Sequence, residues 1–441
     1  MMRSRETMSR KNNPSRRPPR NAAWYASQRR ARSHDEAQAI AEQADAPAIP
    51  EHPLIAADDA ELITQPRAFA DLLDHLRAVG SFAYDTEFIG ELTYFPHLCL
   101  VQVATHERVA LIDPFDSIDL TPLWELLADP AVEKIVHAGM QDLEPVVRLL
   151  DKSPANVFDT QIAGGFIGMG YPTGLARLVA EILGVELGKG LTYTSWDRRP
   201  LSKVHQRYAA DDVRYLPALK DVIVAKLEAL GHADWAAQEC AALCDRALYD
   251  PNPLAGFHKM RGVTSFSARK RAVLAALLAW RDQAARQQNT PVRTLLADQI
   301  VASLARHPVT SIEQLGQISG LPRPVRERHG RHIVELTAAA LEDPSNAPPA
   351  PPGKTDETAT GRVAIDGLWA TVCGYCHGRG IDPGLVTSRQ EIASWYRDRN
   401  NGTLREGWRR AMLGEVLEAF IEGRASVQLN WTDGTLRAER S

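Results

Sequence analysis

Three short stretches of this chain carry carboxylates at spacings that chemistry can use. In SFAYDTEF, Asp85 and Glu87 stand two residues apart. On an extended strand that spacing sends both side chains to one face. Two anions sharing a face beside Phe82, Ala83 and Tyr84 repel one another unless a cation lies between them. In KIVHAGMQDLEPVVRLL, Asp142 follows a strand-like run and opens a helix-like one. In QRYAADDVRYL, Tyr208 and Asp212 are four apart, which on a helix places their Cβ atoms roughly 5–6 Å from each other.

Each stretch alone has a plain reading. The first could be the polar face of an edge strand, and Asp142 could simply cap a helix whose dipole favours an anion there. Together, Asp85, Glu87, Asp142 and Asp212 supply the hard oxygen ligands that two divalent ions about 3.5–4 Å apart require. Such a pair suits phosphodiester hydrolysis. One ion orients an attacking water and lowers its pKa, and the other stabilises the leaving 3′ oxygen and the charge gathering at phosphorus. The Tyr208 hydroxyl would hold that water in line. Asp211 is rotated off the Tyr208 face and is expected to be solvated or turned along the helix.

These residues need elements to hold them. SFAYDTEF, LCLVQVA and RVALIDPF read as three successive strands. TPLWELLADP reads as a short helix capped by Thr121, KIVHAG as a strand, and QDLEPVVRLL as a helix. The text from VFDTQIAGGFIG to KVHQRYAADDVRYLPALKDVIVAKLEAL is mostly helical. Three strands followed by alternating helix and strand predict a mixed sheet flanked by helices. Past Asp250 the periods are helical throughout, so an all-α region is expected over 251–341. A Pro/Thr-rich linker (342–362) and a second helical region (363–430) follow. His137 is expected to be a hydrogen-bonded core histidine at a strand end, and Asp159 a helix cap.

Composition narrows the class. At 441 residues the chain is too long for one core. Its 44% apolar and 24% charged content is that of an ordinary globular protein, and no apolar run approaches the ~20 residues of a membrane span. A net charge of −4 argues against an overall cationic coat but leaves room for local basic patches. Five scattered cysteines do not form a disulfide framework, which points to a reducing, cytoplasmic setting. The first thirty or so residues are rich in Arg, Ser and Pro with no apolar core of a secretory signal. They, and the acidic Ala-rich connector up to about residue 60, read as a solvated extension, with a basic arm for phosphate as the sharper alternative.

The order DTEF, TYFPHLCLVQVA, HAGMQDLE, RYAADDVRYL resembles ribonuclease D and its relatives in the DEDD exonuclease superfamily, and the Tyr-x-x-x-Asp spacing marks their tyrosine subgroup. The resemblance runs over most of residues 60–330. It implies an α/β exonuclease domain of RNase H-like fold over 61–245, followed by all-α HRDC-type helical domains. It also implies stepwise 3′→5′ removal of nucleoside 5′-monophosphates from RNA with Mg²⁺ or Mn²⁺. On that pattern Asp85 bridges both metals, Glu87 and Asp212 complete the water-side one, Asp142 holds the leaving-group one, and Tyr208 positions the water. RNA with a free 3′ end, tRNA precursors among it, is the implied partner. A DNA exonuclease of the same superfamily remains the alternative, since no residue here visibly reads a 2′-OH.

SWDRRPLS resembles the family segment before the third motif, making Arg198, Arg199 and Lys203 candidates for substrate phosphates, with pairing to Asp197 as the alternative. The region after Asp250 resembles the HRDC domain of ribonuclease D and RecQ-type helicases. Its HKMRGVTSFSARKR stretch makes Lys259, Arg261, Arg269, Lys270 and Arg271 candidates for a nucleic-acid backbone, or for an ordinary solvated face. The last region resembles a second, degenerate HRDC-like module. Cys373-Gly-Tyr-Cys376-His377 spells a haem-attachment pattern, but it falls in a helical stretch, and no second cysteine pair completes a zinc site. No haem is expected.

Overall fold

The computed structural model describes residues 49–50, 52–90, 92–115, 118–188, 195–250, 252–350, 358–400, 402–432 and 435–440. The basic N-terminal stretch, and with it the expectation of a solvated arm, lies outside the described residues.

A mixed six-stranded sheet occupies the first half of the chain. In chain order the strands are β1 (Glu61–Ile63), β2 (Ser81–Ile89), β3 (His97–Ala104), β4 (Val109–Ile112), β5 (Glu133–Val136) and β6 (Val157–Asp159). They lie in the spatial order β1-β4-β3-β2-β5-β6. β3 runs antiparallel to its neighbours β2 and β4, and the remaining pairs are parallel. β2 therefore sits inside the sheet, paired with β3 over Ala83–Ile89 and with β5 over Ser81–Ala83.

The helices of this half are α1 (Pro66–Val79), α2 (Thr121–Leu127), α3 (Met140–Leu150), α4 (Thr160–Gly165), α5 (Leu175–Leu183), α6 (Lys203–Arg214), α7 (Leu216–Leu230) and α8 (Ala233–Ala241). α1 shows why they form. Phe69, Leu72, Leu73 and Leu76 recur at helical spacing and are all buried, while the intervening charges face water. Thr121 does not cap α2, as had been expected. It lies inside the helix, whose N-cap Leu120 brings no side-chain bond, and Asp119 just outside accepts the Thr121 N–H at 3.0 Å. The long helical reading over KVHQRYAADDVRYLPALK breaks at Tyr215. Pro217 lacks an N–H and fits only the first turn of a new helix, so α7 starts beside it.

The HRDC-like region is helical, with α9 (Ala268–Gln287), α10 (Val292–Leu295), α11 (Asp298–Arg306), α12 (Ile312–Gly316) and α13 (Arg323–Glu342). It has its own core, built on Val273, Leu277, Leu296, Val301 and Ile333. The last region holds α14 (Ala359–His377), α15 (Pro383–Val386), α16 (Arg389–Arg397) and α17 (Glu415–Ile421).

Three boundaries differ from expectation. Helix α14 begins inside the stretch read as linker, with Thr358 as its cap. Residues read as all-α end in a β-hairpin, β7 (Val427–Thr432) against β8 (Thr435–Arg440). Residues just before 61, read as extension, are docked: Ile55 is buried, and Arg214 donates to the carbonyls of Ala56 and Asp58.

The last module shares the nuclease core. Val372, Cys376, Leu385 and Trp395 belong to the same buried cluster as the sheet. Gly165 of α4 permits the contact, because a Cβ there would stand 3.0 Å from a Leu385 methyl group. Glu239 of α8 locks it, accepting the Trp408 indole N–H at 2.8 Å and both Arg409 guanidinium nitrogens at 2.6 and 2.7 Å. Arg409 also donates to the carbonyls of Leu385 and Val386. Removing this guanidinium strands one carboxylate and two carbonyls. Arg409→Ala is expected to lower stability by roughly 2–3 kcal/mol in urea unfolding, with Glu239→Ala no worse in combination than alone. Additive losses would show that the pair does not act as one unit.

Candidate active site

The four carboxylates come from three elements. Asp85 and Glu87 project from the interior strand β2, which Asp85 pairs to Gln102 and Glu87 to Leu100 of β3. A register shift between Glu87 and Phe88 marks a bulge there, the kind of irregularity that re-aims a side chain. Asp142 lies in the first turn of α3 and Asp212 in α6.

The turn that delivers Asp142 is tightly built. Ala138 takes a left-handed conformation at φ 56°. Gly139 follows, where a Cβ would lie 2.5 Å from the Val136 side chain, so only glycine fits. Asp159 holds this turn from β6, accepting the N–H of Ala138 at 3.2 Å and of Gly139 at 3.1 Å. The same carboxylate caps α4 through the N–H groups of Gln161 and Ile162. Asp159 therefore both caps and supports. His137 is the hydrogen-bonded histidine expected, with Nδ1 3.0 Å from the Thr160 hydroxyl, and burial lowers its pKa.

Asp142 does not act as a side-chain cap. Its carboxylate accepts the Thr86 hydroxyl, and its backbone carbonyl accepts the Tyr84 hydroxyl at 3.0 Å. Tyr84 and Thr86 alternate along β2 with Asp85 and Glu87, so the strand fixes Asp142 with one set of side chains and presents carboxylates with the other. The carboxylate spacing in this motif carries no signal for the Thr86 hydroxyl, whose partner is distant in sequence. Gln102 was also missed. It is fully buried with neither amide atom hydrogen-bonded, and it stands cross-strand from Asp85. Its signal was legible as the one polar residue in the apolar run LCLVQVA.

The electrostatics show how close these groups are. Burial raises the Asp85 pKa well above the carboxylate range, and the charges of Asp142, Asp212 and Glu87 raise it further. Glu87 is pushed up to about 8 by burial, then by Asp212 and Asp142. Asp212 is pushed up to about 7 by burial, then by Asp211 and Asp142. Burial also raises Asp142, and the Thr86 hydroxyl partly offsets it. The Tyr208 hydroxyl is raised by burial and then by Asp212, Glu87 and Asp85. Each of the five sequence-predicted residues thus shares a field with at least one other. Even so, no three His, Cys, Asp or Glu side chains among the described residues are arranged to hold a metal ion. The donors that do gather are carboxylate oxygens, which match Mg²⁺ or Mn²⁺ rather than thiophilic metals.

Asp211 is neither solvated nor idle. It forms an ion pair with Arg207 at 2.8 Å and another with the fully buried Arg214 at 3.4 Å. The Trp196 ring packs against Tyr208, with centroids 6.2 Å apart.

The basic candidates divide. Arg199 is turned inward: its guanidinium pairs with Asp113 and donates to the carbonyls of Trp196, Arg198 and Cys99. This corrects its reading as a phosphate ligand, and its partner is not Asp197. Arg198 and Lys203 are exposed. Lys259, Arg261 and Arg269 are exposed, whereas Arg271 donates to the carbonyls of Phe266 and Pro348 and is structural. Lys270 is half-buried at the start of α9. Cys373 and Cys376 are free thiols on α14, with Cys376 buried among apolar side chains.

The raised carboxylate pKa values fix the sign of a pH effect. Folded Glu87 and Asp212 bind protons more tightly than the unfolded chain does, so stability should fall as pH rises from about 5 to about 8 in EDTA. The melting temperature is expected to drop across that window, and Glu87→Gln to flatten the drop. A melting temperature that climbs through it would contradict the crowding.

Known proteins resemble this chain over most of its length. A family described as 3′-5′ exonuclease matches residues 60–228, and the HRDC domain family matches residues 270–337. The ribonuclease D of Gluconacetobacter diazotrophicus is 34% identical over 380 residues, covering 86% of this chain and 96% of that one. The Escherichia coli ribonuclease D is 30% identical over 369 residues, covering 82% and 98%. The crystal structure of Escherichia coli RNase D, described as an exoribonuclease involved in structured RNA processing, superimposes with a TM-score of 0.70. That match has 29% identity and covers 83% of this chain and 99% of that one. With both domain families matched in order and curated ribonuclease D proteins 30–34% identical over most of its length, the chain belongs to the ribonuclease D family of 3′→5′ exoribonucleases.

Proposed function

We propose that this exoribonuclease hydrolyses RNA from the 3′ end with two divalent ions, Mg²⁺ or Mn²⁺, held by Asp85, Glu87, Asp142 and Asp212. Its substrates in this reading are 3′ tails of structured RNA such as tRNA precursors, and its setting is the cytoplasm. The observation that carries the metal reading is the convergence of four carboxylates, from three elements, on one another's fields. A fold gains nothing from that repulsion unless a cation relieves it. Bound there, the cations would supply positive charge for activating water and stabilising the leaving 3′ oxygen.

The chain's own residues do the rest. Asp142 is held to β2 through Thr86 and Tyr84, so the α3 carboxylate cannot drift from the strand pair. Burial, and then the Asp212, Glu87 and Asp85 charges, keep the Tyr208 hydroxyl protonated. A protonated phenol can donate to or accept from a water and set its line of attack. Asp211 is paired with Arg207 and Arg214, which offset part of its charge beside Asp212. The exposed Arg198 and Lys203 stand at the approach to α6, where phosphates would pass. The exposed Lys259, Arg261 and Arg269, with Lys270, offer a second basic surface.

The test is digestion of a 5′-labelled single-stranded RNA and its DNA counterpart with Mg²⁺, Mn²⁺ or EDTA. A ladder shortening from the RNA 3′ end, absent in EDTA and in Asp212→Asn, is expected. Tyr208→Phe should keep the ladder but slow it roughly 10- to 100-fold, the scale of a misplaced reactant. Full activity of Asp212→Asn, or cleavage in EDTA, would overturn the metal assignment. Preference for DNA would overturn the substrate.

A further inference from the structure

Tyr208 owes its direction to more than its own helix. Its side chain is half-buried on α6, and the buried Trp196 ring stands against it with centroids 6.2 Å apart and planes 33° apart. The same indole meets the ring of His205, three residues earlier on α6, at 5.6 Å. Ser202 holds His205 at the helix start, accepting its N–H at 3.3 Å and lying 3.0 Å from its Nδ1. A large ring packed along one side of α6 narrows the arc through which the phenol can swing.

Trp196 has no element of its own to fix it, since residues 195–202 form neither helix nor strand. Arg199 supplies the anchor. Its guanidinium uses all five of its donors. Nε and Nη2 donate to the two oxygens of Asp113, and Nη2 also donates to the Cys99 carbonyl at 2.7 Å. Nη1 donates to the carbonyls of Trp196 at 2.7 Å and Arg198 at 3.0 Å. The Phe115 ring covers the group, with its centre 4.4 Å from the guanidinium carbon.

Asp113 is buried and directly follows β4, while Cys99 lies on β3. The clamp therefore ties the Trp196 backbone to two strands of the sheet that also carries Asp85 and Glu87. A guanidinium with every donor engaged has none left for a phosphate. Its bond to the Trp196 carbonyl instead connects the sheet to the ring beside Tyr208.

We propose that Arg199, fixed by Asp113, is a positioning residue for Tyr208 and acts through the Trp196 ring. The proposal rests on the reading that Tyr208 sets the attacking water in line. A reacting group misplaced by about 1 Å can cost about 100-fold in rate, so the clamp bears on turnover without touching substrate.

The test is a double-mutant cycle on the full chain, read as kcat and KM on a labelled single-stranded RNA with Mg²⁺. Arg199→Lys keeps the charge but loses the planar fork, and Trp196→Phe keeps the clamp but shrinks the ring. Each is expected to lower kcat about 10- to 100-fold with KM within about threefold of wild type. Joined to Tyr208→Phe, each should cost little beyond Tyr208→Phe alone, because the hydroxyl being aimed is already gone. Mn²⁺ affinity, measured by calorimetry on the same variants, should stay at the wild-type value. Losses that multiply in the cycle, an unchanged kcat in either single variant, a rise in KM in place of the fall in kcat, or a parallel loss of Mn²⁺ affinity would overturn the proposal. Melting in EDTA shows whether each variant folds, and if Arg199→Lys does not, the Trp196→Phe cycle decides. A wild-type kcat in Tyr208→Phe would instead remove the reading of Tyr208, and the proposal with it.

Discussion

Four carboxylates that repel one another, held together by an otherwise ordinary fold, are the constraint on which this structure turns. Burial and mutual charge lift the proton affinity of Asp85, Glu87, Asp142 and Asp212, and each unit of such a shift is about 1.4 kcal/mol of unfavourable ionisation. Much of the surrounding architecture resists that repulsion. The interior position of β2, the Gly139 turn tied down by Asp159 and the hydroxyls of Thr86 and Tyr84 all fix where the charges sit. The two arginines on Asp211 offset part of the charge it adds beside Asp212.

The acids themselves were legible from sequence because strand and helix periods are short-range. Two residues along β2 and four along α6 fix faces without any knowledge of tertiary structure. Asp142 was legible as the first turn of a helix, but its partner was not, since the Thr86 hydroxyl arrives from 56 positions away in the chain. Arg199 failed for the same reason. A guanidinium in a basic run looks free until the fold brings Asp113 to it from 86 positions away. Charge type is written locally, whereas pairing is a property of the packed chain. Edge strand β1 was unreadable because three residues, two of them exposed, carry no period.

The placement of the last module also escaped the sequence. Its periods predicted helices, and α14, α16 and α17 form, but nothing local announces that their apolar faces complete the nuclease core. The HRDC-like region does the opposite, closing its own core and meeting the nuclease through polar and aromatic contacts at Tyr94 and Phe95. One helical region thus behaves as part of the catalytic body. The other behaves as a separate wall across a cleft. No helix among the described residues is long and apolar enough to cross a membrane, and the apolar surface these helices carry is used against the sheet or within their own bundle.

The central claim is that divalent cations relieve the carboxylate repulsion, and calorimetric titration of Mn²⁺ into the intact protein near pH 7 tests it directly. Groups whose pKa values are raised toward neutrality must lose protons when a cation binds. The account predicts two ions per chain and a binding heat that changes with the ionisation enthalpy of the buffer, both effects lost in Asp85→Asn. Binding with no proton release, or equal binding by Asp85→Asn, would contradict it.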